Sequence, residues 1–158
     1  MRRAPEKTNP GRQGSEMDNP ATTTPEWRAL LSPPRQTVAR IERAGIPTRP
    51  GVYAWFHSGE CVYLGKASNL RARLATHLST SLDLSRSTLR SWVAVRELGL
   101  TREYTRRRPT VMDAAQVGVV SSWLRECDLT WNVTPTNEDA VALESALLAA
   151  WRPPINAA

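Results

Sequence analysis

Two runs of alternating residues meet at a short polar break, and this pattern constrains the fold more than any other. Val52, Ala54 and Phe56 alternate with Tyr53, Trp55 and His57; beyond Ser58 and Gly59, Val62 and Leu64 alternate with Cys61, Tyr63 and Gly65. Period-two patterning on both sides of a tight turn predicts a β-hairpin. A three-residue loop of His57, Ser58 and Gly59, with Gly59 left-handed, sets Phe56 opposite Glu60 and Tyr53 opposite Tyr63. That register gathers the apolar set on one face and leaves the two phenols on the other. A slip of one residue would carry Val62 and Leu64 to the phenol face, so burial selects the register. Residues 69–78 then predict a helix with Leu70, Leu74 and Leu78 as its apolar stripe, and Arg73 and His77, four apart, on one flank. Two phenols, a guanidinium and an imidazole are thereby expected to converge.

The remaining chain suits one domain. At 158 residues it can bury a sizeable core but has little room for a second. Lys and Arg number 21 against 15 Asp and Glu, for a formal charge of +6 and a pI near 10.1. This balance suits a polyanionic partner and equally suits plain solubility. Cys61 and Cys127 are the only cysteines, which excludes a disulfide framework and a four-cysteine zinc site; together with His57 and His77 they lack zinc-finger spacing. Reduced thiols and a cytoplasmic location are expected. No apolar run approaches the ~20 residues of a membrane span, and the start of the chain lacks a signal peptide's apolar segment.

Residues 1–25, with Pro5, Pro10, Pro20 and Pro25 among polar residues, read as a disordered basic tail. Its Arg2, Arg3, Lys7 and Arg12 are either solvated or weak phosphate contacts. Residues 26–46 read as a helical lead-in, one helix over 26–31 and another over 35–44 carrying Val38 and Ile41, separated by Pro33 and Pro34. The domain proper is assigned to 47–158, with a variable insertion over about 79–127. Within it, 79–87 is a serine-rich loop, 88–98 a helix bearing Leu89, Trp92, Val93 and Leu98, and 114–126 a helix capped by Asp113 with Val117, Val120 and Leu124 buried. Between those helices Arg102, Arg106, Arg107 and Arg108 are opposed only by Glu103. This stretch either binds phosphate or is a solvated loop, with Tyr104 stacking on a base or anchoring the loop. Leu129, Trp131 and Val133 mark a third strand. A last helix, capped by Thr136 or Asn137, runs to about Trp151 before Pro153 and Pro154. Trp55 and Trp131 read as core or rim aromatics.

Glu144 is the only charged residue between Asp139 and Arg152, on the helix face that carries Ala140, Leu143, Leu147, Ala150 and Trp151. A carboxylate in an apolar site costs several kcal/mol unless a cation or hydrogen bonds compensate. On the residues alone, an ion pair with an arginine such as Arg73 is the ordinary solution.

These residues resemble the GIY-YIG nuclease superfamily. Its two signature tripeptides have their counterparts in Gly51-Val52-Tyr53 and Tyr63-Leu64-Gly65, each differing by one aliphatic swap. Arg73 stands ten residues after the second tyrosine, His77 one turn later, and Lys66 fits the form seen in the incision subunit of bacterial excision repair. Glu144 and Asn156 match the superfamily's metal-binding glutamate and late asparagine, so the resemblance runs from about residue 47 to 156. It implies an α/β (α+β) fold, a three-stranded antiparallel sheet flanked by helices. The implied activity is metal-dependent endonucleolytic hydrolysis of DNA. Glu144 would hold one Mg2+ or Mn2+, which suits a single carboxylate plus waters and phosphate oxygens. Arg73 would meet charge developing on the phosphoryl group, Tyr53 would orient or deprotonate water with Tyr63 as partner, His77 would relay protons, and Asn156 would brace the site. Lys66, Arg71, Arg90, Arg106, Arg107 and Arg108 are the expected substrate contacts. Paired tyrosines are also common as packing alone. Two other readings therefore stand beside the enzyme: a non-catalytic nucleic-acid-binding module, and an accessory nuclease directed by a protein partner.

Overall fold

The computed structural model describes residues 24–158; the tail expected over 1–25 lies outside them apart from its last two residues. The chain runs through α1 (Pro25–Leu31), β1 (Gln36–Thr37), β2 (Gly51–His57), β3 (Glu60–Ala67), α2 (Leu70–Leu78), α3 (Thr88–Leu98), α4 (Arg102–Thr105), α5 (Ala114–Arg125), β4 (Asp128–Val133), α6 (Asn137–Ala150) and α7 (Pro154–Ala157). The strands form one antiparallel sheet in the order β1-β4-β2-β3. The fold is α/β as expected, with four strands rather than three.

The extra strand comes from a stretch expected to be helical. Gln36 and Thr37 pair with Leu129 and Asp128, and the Val38 amide donates to the Cys127 carbonyl at 2.9 Å. Two 3₁₀ turns, Val38–Arg40 and Arg43–Gly45, follow it. Its main-chain groups find partners in the sheet, and an apolar pattern of two residues is too weak a helix signal to compete. The lead-in is also integral to the core. Thr24 caps α1 through Oγ1, Trp27 and Leu30 are fully buried, and Trp27 Nε1 donates to the Leu147 carbonyl at 2.9 Å.

The hairpin forms, but with a different loop. Ser58 and Gly59 both have positive φ (51° and 83°), the signature of a two-residue turn, and His57 pairs with Glu60. A β-bulge between Trp55 and Phe56 then offsets the strands, so Tyr53 lies opposite Gly65 and Trp55 opposite Tyr63. Every residue of β2 from Gly51 to Phe56 is buried, so neither face alone dictates the register. The bulge turns Val62 toward the phenol face while Cys61 and Leu64 stay on the other.

Each sheet face carries its own core. Tyr53, Trp55 and Tyr63 pack under α2, α3 and α5 through Leu70, Leu74, Leu89, Val93, Val117 and Val120. On the opposite face Val52, Ala54, Phe56 and Leu64 meet Trp27 and Leu30 of α1 and Leu147 of α6. The apolar face expected of α6 is narrower than its composition suggests: Ala140 and Leu147 are buried, Ala150 is exposed and Val141 retains 41% of its surface. Among the described residues no helix is long and apolar enough to cross a membrane.

Candidate active site

The phenols, the imidazole and the guanidinium do converge. Tyr53, midway along β2, lays its ring over Gly65; a Cβ at that position would overlap the phenol, so the glycine makes room for it. Tyr53 Oη stands 2.6 Å from His77 Nε2, and His77 Nδ1 stands 2.6 Å from Ser87 Oγ. Ser87 caps α3, its Oγ accepting the Arg90 amide at 3.1 Å. Around the fully buried imidazole stand the rings of Tyr53, Tyr63 and Trp55, at centroid separations of 5.6, 6.0 and 6.1 Å.

Burial governs the electrostatics of this cluster. It pushes Tyr53 above the ordinary phenol range, with Tyr63 adding to the rise and Arg73 opposing it. Tyr63 is raised for the same first reason, again with Arg73 in opposition. His77 is lowered to about 3 by burial, then by the charges of Arg73 and Arg90, so its ring is neutral at ordinary pH. Arg73, partly exposed, also donates from Nη1 to the Arg86 carbonyl at 3.1 Å.

Glu144 approaches from α6. It is partly buried, and burial raises its pKa while the charge and main-chain N–H of Lys66 oppose the rise. Its charge is felt by both Tyr53 and Tyr63, which places it within electrostatic reach of the phenols. The ion pair with Arg73 does not form: the salt bridges among the described residues are His57 with Glu126 and Arg107 with Glu103. Those residues also contain no cluster of three or more acidic, histidine or cysteine side chains arranged to hold a metal. A lone, unpaired carboxylate fits a hydrated magnesium ion, which takes one or two protein oxygens and keeps its waters; it does not fit a zinc or calcium cage.

Asn156, in α7, reaches the outer edge of β3, where its Oδ1 accepts the Leu64 amide at 2.8 Å and its Nδ2 donates to the Leu64 carbonyl at 2.9 Å. It braces the strand that carries Tyr63, Gly65 and Lys66.

The expected substrate contacts divide. Lys66 is exposed. Arg71 is committed to the carbonyls of Ile46 and Ala44, at 2.8 and 3.0 Å. Arg90 is 1% exposed and holds the carbonyls of Ser81 and Asp83. Arg90 is therefore a strut of the 79–87 loop, not a substrate contact, because a serine-rich loop offers carbonyls that a guanidinium can satisfy inside the protein. Arg106, Arg107 and Arg108 are exposed and, with Ser85, Arg102 and Glu103, line a depression of about 400 Å³. Tyr104 anchors this segment by donating to the Val111 carbonyl at 3.3 Å.

Three residues that sequence reasoning did not place at the site belong to it. The Arg86 carbonyl and the Ser87 hydroxyl hold Arg73 and His77. Arg102, hydrogen-bonded to Ser91 and stacked 4.5 Å over Trp92, carries a charge that opposes the rise in the Tyr63 pKa. Ser87 was readable as a helix cap; its second bond depends on tertiary contact.

The sheet thus carries a phenol, imidazole and guanidinium cluster with a separate carboxylate, at the positions on which the resemblance to the GIY-YIG nuclease superfamily rests. In sequence the chain is similar to UvrABC system protein C of Bifidobacterium longum, strains DJO10A and NCC 2705, each 31% identical over 105 residues and matching 60% of this chain. The chain spans 12% of the length of those relatives. Among solved structures it is similar to the GIY-YIG N-terminal endonuclease domain of UvrC from Thermotoga maritima bound to magnesium, at 23% identity and a TM-score of 0.43, covering 75% of this chain and 94% of that one. A point mutant of the same domain bound to its catalytic divalent cation gives 22% and 0.42, covering 74% and 92%. No protein-family model matches. The resemblance to the superfamily read from the two tripeptides is borne out by these relatives.

Proposed function

We propose that the chain is a metal-dependent endonuclease that hydrolyses phosphodiester bonds in DNA. The observation that carries this reading is Glu144, a partly buried carboxylate with no ion-pair partner among the described residues, within electrostatic reach of two buried phenols that share Arg73. A binding module needs cations but has no use for such a carboxylate.

Glu144 is the residue that would hold the cation, supported by the main chain at Lys66. A bound divalent cation would supply Lewis-acid stabilisation of charge on the phosphoryl and leaving oxygens. Arg73 meets the charge that grows on the phosphoryl oxygens, pre-aligned by its bond to the Arg86 carbonyl. Tyr53 and Tyr63 orient the attacking water, and Asn156 keeps their hairpin in place. Bringing a phenol from ~10 to ~7 takes about 4 kcal/mol, and burial here works the other way. In the free chain the tyrosines therefore act as neutral hydrogen-bonding groups. Arg102 extends the cationic surface from Tyr63 to Arg106, Arg107 and Arg108, whose depression would take further backbone phosphates of the same substrate.

The test is cleavage of supercoiled, linear, single-stranded and branched DNA by the purified chain and by Glu144→Ala, with magnesium, manganese or chelator. Cleavage that needs metal and disappears in the variant is expected. Equal binding with no cleavage by either protein would overturn the nuclease reading.

A further inference from the structure

We infer that the cavity between α2 and residues 79–90 is a phosphate-binding site, in which Arg43 and Arg86 hold a phosphate group and Arg90 supplies a third, buried positive charge. The site stands on its own geometry; that its occupant is a backbone phosphate of DNA rests on the nuclease reading above.

The cavity measures about 440 Å³, and its charged lining is Arg43, Arg86 and Arg90 against a single carboxylate, Asp83. Arg90 is 1% exposed, forms no ion pair with any described residue, and has no hydrogen-bond acceptor for its Nε. The carbonyls of Ser81 and Asp83 that take its Nη groups are neutral and leave its charge without a counter-ion. Burial lowers its pKa, with the charge of Asp83 in opposition. The Asp83 carboxylate is itself engaged by the Ser85 amide, at 2.9 Å. A buried cation without a counter-ion is costly, and an anion in the adjoining cavity offsets part of that cost. Arg90 gives the site charge and not contact, because its Nη groups are committed and its Nε is closed to solvent.

Contact falls to Arg43 and Arg86. Both are exposed, and the hydrogen bonds they make to described residues use their main-chain carbonyls, so both guanidiniums are free. A guanidinium presents paired N–H groups that match two oxygens of one phosphate. Ser79 and Ser81 line the same cavity; their Oγ atoms accept the Ser81 and Asp83 amides at 3.1 and 3.2 Å, and each keeps its own hydrogen to donate. Arg86 also joins this cavity to the candidate active site. Its side chain lines the cavity, while its carbonyl takes Arg73 Nη1 at 3.1 Å. In a strand whose reacting phosphate meets Arg73, the neighbouring phosphates are therefore the anions nearest to hand.

The first probe is inorganic phosphate, compared with chloride and acetate at equal ionic strength and neutral pH, in chelator and without DNA. Main-chain amide shifts in NMR spectra should saturate with phosphate and centre on residues 79–87. Arg43→Gln combined with Arg86→Gln, both at exposed positions that folding tolerates, should weaken this binding about tenfold or more. Arg28→Gln combined with Arg152→Gln removes the same charge, in α1 and just beyond α6, and should not. A response that chloride or acetate matches, or that the Arg43 and Arg86 double variant retains, would overturn the site. Duplex DNA, again in chelator so that nothing is cut, separates the two sources of phosphate. Weaker binding by the Arg43 and Arg86 variant than by the control, with a shallower salt dependence, assigns a strand phosphate. Equal binding by both overturns that assignment and leaves free phosphate as the ligand. Phosphate binding here by a chain that cuts no DNA would sink the nuclease reading and leave the site standing.

Discussion

Acidification should destabilise this protein through His77. Folded, the imidazole stays neutral down to about 3, whereas an unburied histidine takes up a proton near 6.5. Between those values the unfolded chain binds a proton that the folded chain refuses. Stability therefore falls as pH drops through about 6.5 and keeps falling toward about 3. The limiting slope is ~1.4 kcal/mol per pH unit, and moving from about pH 7 to about pH 4.5 should cost roughly 2.5 kcal/mol. For a domain held by about 5–15 kcal/mol this is a large fraction. With a urea m-value near ~2 kcal/mol/M, the midpoint drops by roughly 1 M. The assay is urea unfolding followed by tryptophan fluorescence, since Trp27 and Trp55 are fully buried, across that pH range for wild type and His77→Gln. Every other ionisable group is common to both proteins, so the difference isolates His77. The variant should be the weaker protein at neutral pH and the gap should close by about 2 kcal/mol on acidification. Parallel curves would refute the reasoning, because they would mean that His77 takes a proton without leaving its site.

Three further outcomes are expected. Glu144→Gln should raise the thermal midpoint in chelator, because it removes a partly buried unpaired carboxylate. It should also lose magnesium-dependent stabilisation, read by thermal shift, along with cleavage. Asn156→Ala leaves the Leu64 amide and carbonyl without their two partners and should cost about 1–3 kcal/mol in urea unfolding, with faster exchange of the Leu64 amide. Gly65→Ala drives a Cβ into the Tyr53 ring; the shifted ring should cost about 1–3 kcal/mol and abolish cleavage, whereas Gly118→Ala, with open space around it, should do neither.

The helices were legible where apolar spacing and caps agreed. Leu70 and Leu74, Leu89 and Val93, and Val117, Val120 and Leu124 behind the Asp113 cap all appear as patterned, while the caps Asn69 and Ser87 emerge only in the structure. The hairpin's existence was legible and its register was not. Alternation specifies register only when one face is wet, and β2 is buried on both. The bulge beside Phe56 depends on what lies above and below the sheet, which no local pattern records. Residues 35–44 were misread because two apolar residues fit a helix and a strand equally, and the partner that decides is Leu129, more than ninety positions away. Charge misled in a related way. Arg71 and Arg90 look like phosphate ligands in a basic chain, yet main-chain carbonyls of neighbouring segments claim both. Glu144 stood out as a single charge on an apolar helix face, but the residues alone pointed to an ion pair with Arg73 that does not form, and the expectation of a metal came from the resemblance.

The stretch that looked like a variable insertion bears on the chemistry more directly than its sequence suggests. Arg73 and His77 are both on α2, but a helix sets only where a side chain starts. The ends of these two are set by consecutive residues, the Arg86 carbonyl and the Ser87 hydroxyl, at the entrance of α3. That entrance is itself held down by Arg90, which reaches back from the first turn of α3 to the carbonyls of Ser81 and Asp83. One turn of helix thus ties the loop to the helix that carries the guanidinium and the imidazole. Ser91 of the same α3 also holds Arg102 of α4, whose charge reaches Tyr63. A change at Arg90, with no side-chain contact to either tyrosine, should therefore loosen Arg73 and His77 together. A change at Arg71, tied to Ile46 and Ala44 instead, should leave them in place. The two arginines look alike in sequence and differ only in which segment they hold.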